Sequence, residues 1–144
     1  MRRLVCLLVC AAALSSCVGP ARTDAVYEGK AVETAKAVRS AIETARLAAS
    51  TAPDNATGQY LSVVLADSEE EADASAGAFD SIQPPTDRSE TLHDELSAVI
   101  EDALTILREL RIAVRGTELG ALKRGADRLA SIGRALESFV EEHE

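Results

Sequence analysis

Aromatic residues are scarce in this sequence of 144 residues. It has no Trp, and two Tyr with two Phe make up the whole aromatic content. The scarcity disfavours a β-rich fold, in which aromatic residues are enriched, and it leaves no platform on which nucleic-acid bases could stack. Ala, Leu, Val and Glu are abundant instead, a composition that favours helices. The length suits one domain, since domains cluster at roughly 100 to 150 residues.

The sequence also lacks an apolar run long enough to span a membrane. Its apolar block, Leu4 to Leu14, is far shorter than the roughly 20 residues that a spanning helix needs. The block follows Arg2 and Arg3 and precedes the small residues Ser15 and Ser16, which is the layout of an export signal. We therefore expect export of the chain and no permanent transmembrane helix.

The tetrapeptide Leu14-Ser15-Ser16-Cys17 resembles the lipobox of bacterial lipoproteins, in which a leucine and two small residues precede a cysteine. The resemblance covers only the first 17 residues. It implies that a diacylglyceryl group joins the Cys17 sulfur and that the chain is cut before this residue. Acyl chains such as palmitate would then anchor it to a cell membrane, facing outside the cytoplasm. The alternative is an ordinary signal peptide that is cut near the Ala-rich stretch, with Cys17 merely nearby.

This interpretation divides the chain into a signal peptide over residues 1–16, a lipidated anchor and linker over 17–23, and one domain over 24–144. Cys6 and Cys10 fall within the signal peptide. A mature chain with one cysteine forms no internal disulfide, although the export route would permit one.

Acidic residues outnumber basic ones. The formal net charge is −9, and loss of Arg2 and Arg3 with the signal peptide would lower it by two, to −11. A protein that binds DNA or RNA neutralises phosphates with clustered Lys and Arg, whereas an acidic domain repels them. We therefore expect no nucleic-acid partner.

Proline, glycine and turn-forming residues divide the rest into four segments, at 24–51, 56–82, 87–115 and 118–143. Their similar lengths and short connections predict an all-α fold, an antiparallel up-down-up-down four-helix bundle. The helix caps predicted for this arrangement are Thr23 or Asp24, Asn55, Thr86 and Thr117 at the starts, and Gly116 at the end of the third helix.

An antiparallel arrangement of the first and last helices also offers a register in which opposite charges face each other. The pairs in this register are Lys30 with Glu137, Glu33 with Arg134 and Glu43 with Arg124. The same register sets Arg39 against Arg128, and exposed ion pairs contribute only about 0 to 1 kcal/mol.

Apolar residues recur at alternating steps of four and three in each segment, as a helix facing its neighbours requires. The predicted stripes are Ala31, Ala35, Val38, Ile42, Ala45 and Ala49; Leu61, Leu65, Ser68, Ala72, Ser75, Phe79 and Ile82; Leu92, Leu96, Val99, Ala103, Ile106, Leu110 and Ala113; and Leu119, Leu122, Ala126, Leu129, Gly133, Leu136 and Val140. The first two stripes consist mostly of small residues, which would let the helix axes approach closely.

No residue constellation indicates catalysis, a metal or a cofactor. Glu90 and His93 have the spacing of one di-iron ligand pair, but a di-iron bundle needs two such pairs. We interpret His93 and His143 as solvated surface residues and expect the helix seams to hold no ionisable group. The sequence therefore predicts a non-enzyme.

Charge is distributed unevenly, and we name two surfaces for it. The acidic flank comprises Asp67, Glu69, Glu70, Glu71 and Asp73, in a stretch with no Lys or Arg between Arg46 and Arg88. The basic tip comprises Arg108, Arg111, Arg115, Lys123 and Arg124, with Arg46, around the turns at one end of the predicted bundle. The alternative to a partner surface is that the flank is a solvated face, neutralised in part by Lys36 and Arg39 of the first helix.

Three functions stay open at this point. The first is an envelope interaction module that presents the flank or the tip to an envelope protein or an anionic wall polymer. The second is a small-ligand receptor that uses a gap between the small-residue helices. The third is a self-associating structural protein, because an alanine seam can also join chains.

Overall fold

The computed structural model describes residues 23–55 and 57–144, without the side chains of 52–55. The predicted signal peptide, Cys17 and most of the linker lie outside the described residues. The described part forms four helices, which are α1 (Asp24–Asn55), α2 (Gly58–Asp80), α3 (Asp87–Arg115) and α4 (Leu119–His143). None of these helices is long and apolar enough to cross a membrane.

The helices pack as the predicted four-helix bundle. Each helix packs against the next in sequence, and α4 also packs against α1, so the four form a ring. Neighbours run antiparallel, because successive ion pairs occur in reverse order along the two helices. Glu69 and Asp73 of α2 pair with Arg111 and Arg108 of α3, and Lys36 and Arg39 of α1 pair with Glu144 and Glu137 at the end of the chain. Within the described chain α1 also touches α3 across the ring, whereas α2 and α4 make no contact. The helices α2 and α4 therefore stand at opposite corners of the ring and face opposite sides.

The core confirms most of the predicted stripes. All six residues of the first stripe are buried, and Leu65, Leu96, Leu129 and Leu136 are completely enclosed. Val99, Ser75 and Ile82 are only partly buried. Leu119 was predicted to face the core, but it is 54% exposed because it is the first residue of α4 and projects beyond the packed layers.

The third helix has the predicted limits, but other boundaries differ. The first helix continues through Pro53 to Asn55 instead of ending at residue 51, so this proline lies in its last turn. Asn55 was predicted to cap α2, but Thr57 does so by accepting a hydrogen bond from the Tyr60 amide. Thr117 was predicted to cap α4, but its φ of 54° places it in the left-handed turn, and the cap position passes to Glu118.

The register between α1 and α4 also differs from the predicted one. The sequence offered Lys30 opposite Glu137, but the structure pairs Arg39 with Glu137 at 2.7 Å. The other predicted pairs, Glu33 with Arg134 and Glu43 with Arg124, are likewise absent from the described residues. The predicted register would have set Arg39 against Arg128, and the observed one gives each arginine a carboxylate partner instead.

Candidate functional site

The acidic flank and the basic tip neutralise each other in part. Glu69, which is only 16% exposed, pairs with Arg111 and lies 3.4 Å from Arg108 Nε. Arg108 also lies 4.0 Å from the carboxylate of Asp73. The expectation that Lys36 and Arg39 neutralise the flank is wrong, because these residues pair with Glu144 and Glu137 at the end of the chain. Two residues of the flank, Glu69 and Asp73, and two of the tip, Arg108 and Arg111, therefore hold α2 against α3.

The remaining acids of the flank face solvent. Asp67, Glu70 and Glu71, which we call the outer acids, are exposed and have no Lys or Arg within ion-pair distance among the described residues. The second helix itself contains no basic residue. Its outer face therefore keeps its negative charge.

The tip also divides into paired and unpaired residues. Arg46 donates to Glu43 on its own helix at 2.6 Å, which removes it from the tip. Arg115, Lys123 and Arg124, which we call the distal cations, are exposed, and the described side chains bring no carboxylate within 4.0 Å of them. They surround the turn between α3 and α4.

Exposed apolar side chains collect at the same end of the bundle. Ile112 precedes the turn and is 66% exposed, and Leu119 follows it. Tyr60 and Val63, in the first two turns of α2, are also more than half exposed. At the opposite end, Val26 is a comparably exposed apolar residue. The end that carries the distal cations is thus amphipathic, with charge beside uncovered apolar area.

The opposite end of the bundle contains a polar network that the sequence analysis missed. Tyr27 is completely buried, and its Oη is hydrogen-bonded to His93 Nδ1 at 2.8 Å. The ring of Phe79 packs against both, with centroids 5.3 Å from Tyr27 and 5.2 Å from His93. Burial, with the nearby charges of Asp80 and Asp94, raises the pKa of Tyr27 to about 12.

These contacts correct two predictions about titratable residues. His93 and His143 are not solvated surface residues, since their side chains are only 23% and 20% exposed. His143 lies 3.0 Å from Glu28 and packs on the ring of Phe139. The core is also not free of ionisable groups, because Tyr27 lies in it. The sequence contained a signal for this burial, because Tyr27 lies four residues before Ala31 and so continues the stripe of Ala31 and Ala35.

Asp24 joins the starts of two helices at this end. Its carboxylate accepts hydrogen bonds from Thr86 at 2.6 Å and from Ser89 at 2.7 Å, and these two bonds lower the pKa of Asp24. The start of α1 is thereby fixed to the start of α3. We call this the anchor end, because the predicted linker enters here, and we call the end with the turn between α3 and α4 the distal end.

An open groove of about 440 Å³ separates parts of α2 and α3. Asp73, Asp80 and Glu101 line it together with Arg108 and the buried residue Ile100. Small-molecule sites are mostly apolar with a few placed polar groups, whereas this groove has charged walls and is open to solvent. The described residues contain no group of three His, Cys, Asp or Glu side chains arranged to hold a metal ion.

Comparison of the chain with protein-family models, with curated proteins and with solved structures finds no match.

Proposed function

We propose that this chain is a lipid-anchored, non-enzymatic interaction module of a cell envelope, and that its distal cations contact an acidic protein surface. The anchor is the diacylglyceryl group expected on Cys17. Because α1 begins at the anchor end, a lipid joined through the short linker at 17–23 would hold that end near the membrane. The distal cations would then point away from the bilayer.

The observation that carries this proposal is the selective lack of partners at the distal end. The other described Lys and Arg residues each have a carboxylate within 4.0 Å, apart from Arg134, which donates to Ser131. The three distal cations, by contrast, are clustered and unpaired among the described residues. The exposed acids Glu118 and Asp127 lie in the same stretch, and three cations against two acids leave it a positive balance. A positive balance attracts an acidic partner and steers its approach.

Exposed apolar area beside the cations favours a protein as the partner over an anionic wall polymer. Protein interfaces combine an apolar centre with a polar or charged rim. Ile112 and Leu119 provide such a centre beside Arg115 and Lys123. A polymer of repeating phosphates or carboxylates offers little apolar surface against which the two side chains could be buried.

Two features support a non-enzymatic role. Tyr27 and His93 are hydrogen-bonded to each other, and the ring of Phe79 packs against both residues, as in a structural contact between helices. The charged groups that lie close together, such as Glu69 with Arg111, form structural ion pairs between helices.

Site-specific photo-crosslinking tests the proposal in intact cells. A photoreactive amino acid replaces Leu119 in one full-length chain and Val26 in another. The two positions are matched, because their exposed fractions are 54% and 53% and they lie at opposite ends of the bundle. We expect discrete protein adducts from position 119 and none from position 26.

Adducts of equal yield from both positions would contradict the proposal, since contact would then not depend on the distal end. A second arm uses purified wall polymer that is free of protein. Sedimentation of the full chain with this polymer, abolished by Lys123→Glu with Arg124→Glu, would assign the distal cations to a polymer and overturn the choice of a protein.

A further inference from the structure

We infer that the acidic surface met by the distal cations is the outer face of α2 on a second copy of this chain. This inference rests on the proposed function and names the partner of the same site. The outer acids supply the required charge, and the cations that would neutralise them are not on their own helix. The two surfaces are complementary in sign, and each also carries exposed apolar residues.

The two surfaces lie on opposite sides of one molecule. The outer acids are on α2, two of the distal cations are on α4, and these helices occupy opposite corners of the ring without touching. One molecule therefore cannot bring its own Lys123 or Arg124 to its own outer acids. A twofold dimer that pairs like faces would place acids against acids, so the charges favour a head-to-tail contact between different faces.

The heights of the two surfaces along the bundle agree. Both α2 and α4 begin at the distal end and run toward the anchor end. At a rise of about 1.5 Å per residue, Tyr60 and Leu119 lie within about 3 Å of the same height when two copies stand side by side. Asp67 and Arg124 then differ in height by about 6 Å, an offset that an arginine side chain can span. Apolar residues thus meet apolar residues, and acids meet cations.

Tethering at one end favours this side-by-side arrangement. Copies held by lipids in one membrane stand with their distal ends at the same level and in the same orientation. Confinement also raises the effective concentration of each copy near the others, so a contact that is weak in solution becomes populated. Since every copy retains one free acidic face and one free basic face, the contact can repeat into a row.

Thiol cross-linking of full-length chains in the same membrane tests this arrangement. Tyr60→Cys and Leu119→Cys chains carry tags of different size, so that the three possible products are resolved by mass. We expect the mixed 60–119 product to exceed the 60–60 and 119–119 products at least fivefold. Val26→Cys replaces Tyr60→Cys as the matched control, and its product with Leu119→Cys should stay at background.

Charge reversal then tests the complementarity. Glu70→Lys with Glu71→Lys in the Tyr60→Cys chain, or Lys123→Glu with Arg124→Glu in the Leu119→Cys chain, should each lower the mixed product about five- to tenfold, because attraction becomes repulsion. Combining the two reversed chains should restore it. Asp102→Lys, an exposed reversal in the middle of α3, is the control and should leave the yield unchanged.

The outcomes separate this inference from the proposed function. Homotypic products in excess, or failure of the combined reversals to restore the mixed product, would overturn the second copy as partner. If photo-crosslinking from Leu119 still gave adducts with another protein, the proposed function would stand without this inference. Loss of both signals would overturn both.

Discussion

Replacement of Gly125 by Ala probes the contact that brings α3 and α4 together beneath the distal cations. A Cβ at this position would lie 2.8 Å from Leu110 Cγ and closer still to its Cδ2, whereas carbon atoms pack best at about 3.5 to 4.0 Å. The side chain of Leu110 is buried and cannot swing into solvent. Either this leucine leaves its rotamer or the helices separate, and overpacking of this kind costs about 1 to 3 kcal/mol.

The matched control is Gly29→Ala, because a Cβ at position 29 meets nothing within 4 Å. Both changes replace a helical glycine, so both gain about 1 kcal/mol of helix propensity. This gain cancels in the comparison. The free energy of unfolding should therefore be about 1 to 3 kcal/mol lower for Gly125→Ala than for Gly29→Ala.

Urea unfolding followed by circular dichroism measures the difference. Leu110→Ala should cost about 2 to 5 kcal/mol by itself, but it removes the atoms that clash. In a double-mutant cycle, Gly125→Ala should consequently be less harmful when Leu110 is already Ala. If Gly125→Ala stabilises the protein as much as Gly29→Ala does, then α3 and α4 are not in the close contact described.

Three further predictions concern the polar network, the ion pairs and the anchor. Because the pKa of Tyr27 is raised from 10.0 to about 12, the folded protein holds this proton more tightly than the unfolded chain, so the free energy of unfolding should fall between about pH 10 and pH 12. The loss should reach at most about 3 kcal/mol, and urea unfolding at each pH would measure it. Tyr27→Phe should remove this pH dependence. A free energy of unfolding that still falls with pH to the same extent in Tyr27→Phe would contradict the assignment. Glu69→Gln should lower the free energy of unfolding by about 1 to 3 kcal/mol, because it breaks the ion pairs with Arg108 and Arg111. Glu70→Gln, at an exposed position, should change it by less than about 0.5 kcal/mol. Equal effects of the two changes in thermal unfolding would argue against the pairing. Cys17→Ser should abolish labelling by radioactive palmitate and release the chain from the membrane fraction, whereas retained label would locate the lipid elsewhere.

The helical bundle could be predicted because periodicity and breakers act locally. The stripe of α3 and the Pro84-Pro85 turn specify where that helix begins and which face it buries, and its limits agree with the structure. The prediction that Leu119 faces the core was wrong, because periodicity identifies a face but does not indicate how far a helix end extends beyond its neighbours. The prediction that Thr117 caps α4 was wrong, because the turn imposes a left-handed backbone conformation on this residue.

The electrostatic organisation could not be predicted from the sequence, because it depends on helix register. Glu69 and Arg111 are on different helices, and only the packed bundle shows that this acid is enclosed while Glu70 and Glu71 face solvent. Composition placed acids and bases in separate stretches, and it could not say which of them cancel. The same limitation concealed the bond between Tyr27 and His93, which joins residues far apart in the chain.

The dependence of the Leu119 photo-adducts on the distal cations tests the central claim most directly. The photoreactive chain is compared with one that also carries Lys123→Glu and Arg124→Glu, and with one that carries Asp102→Lys. We expect the adducts to disappear only in the chain with the reversed distal cations, while all three chains keep the same unfolding midpoint. Adducts that persist at full yield after reversal of Lys123 and Arg124 would show that these charges do not recruit the partner.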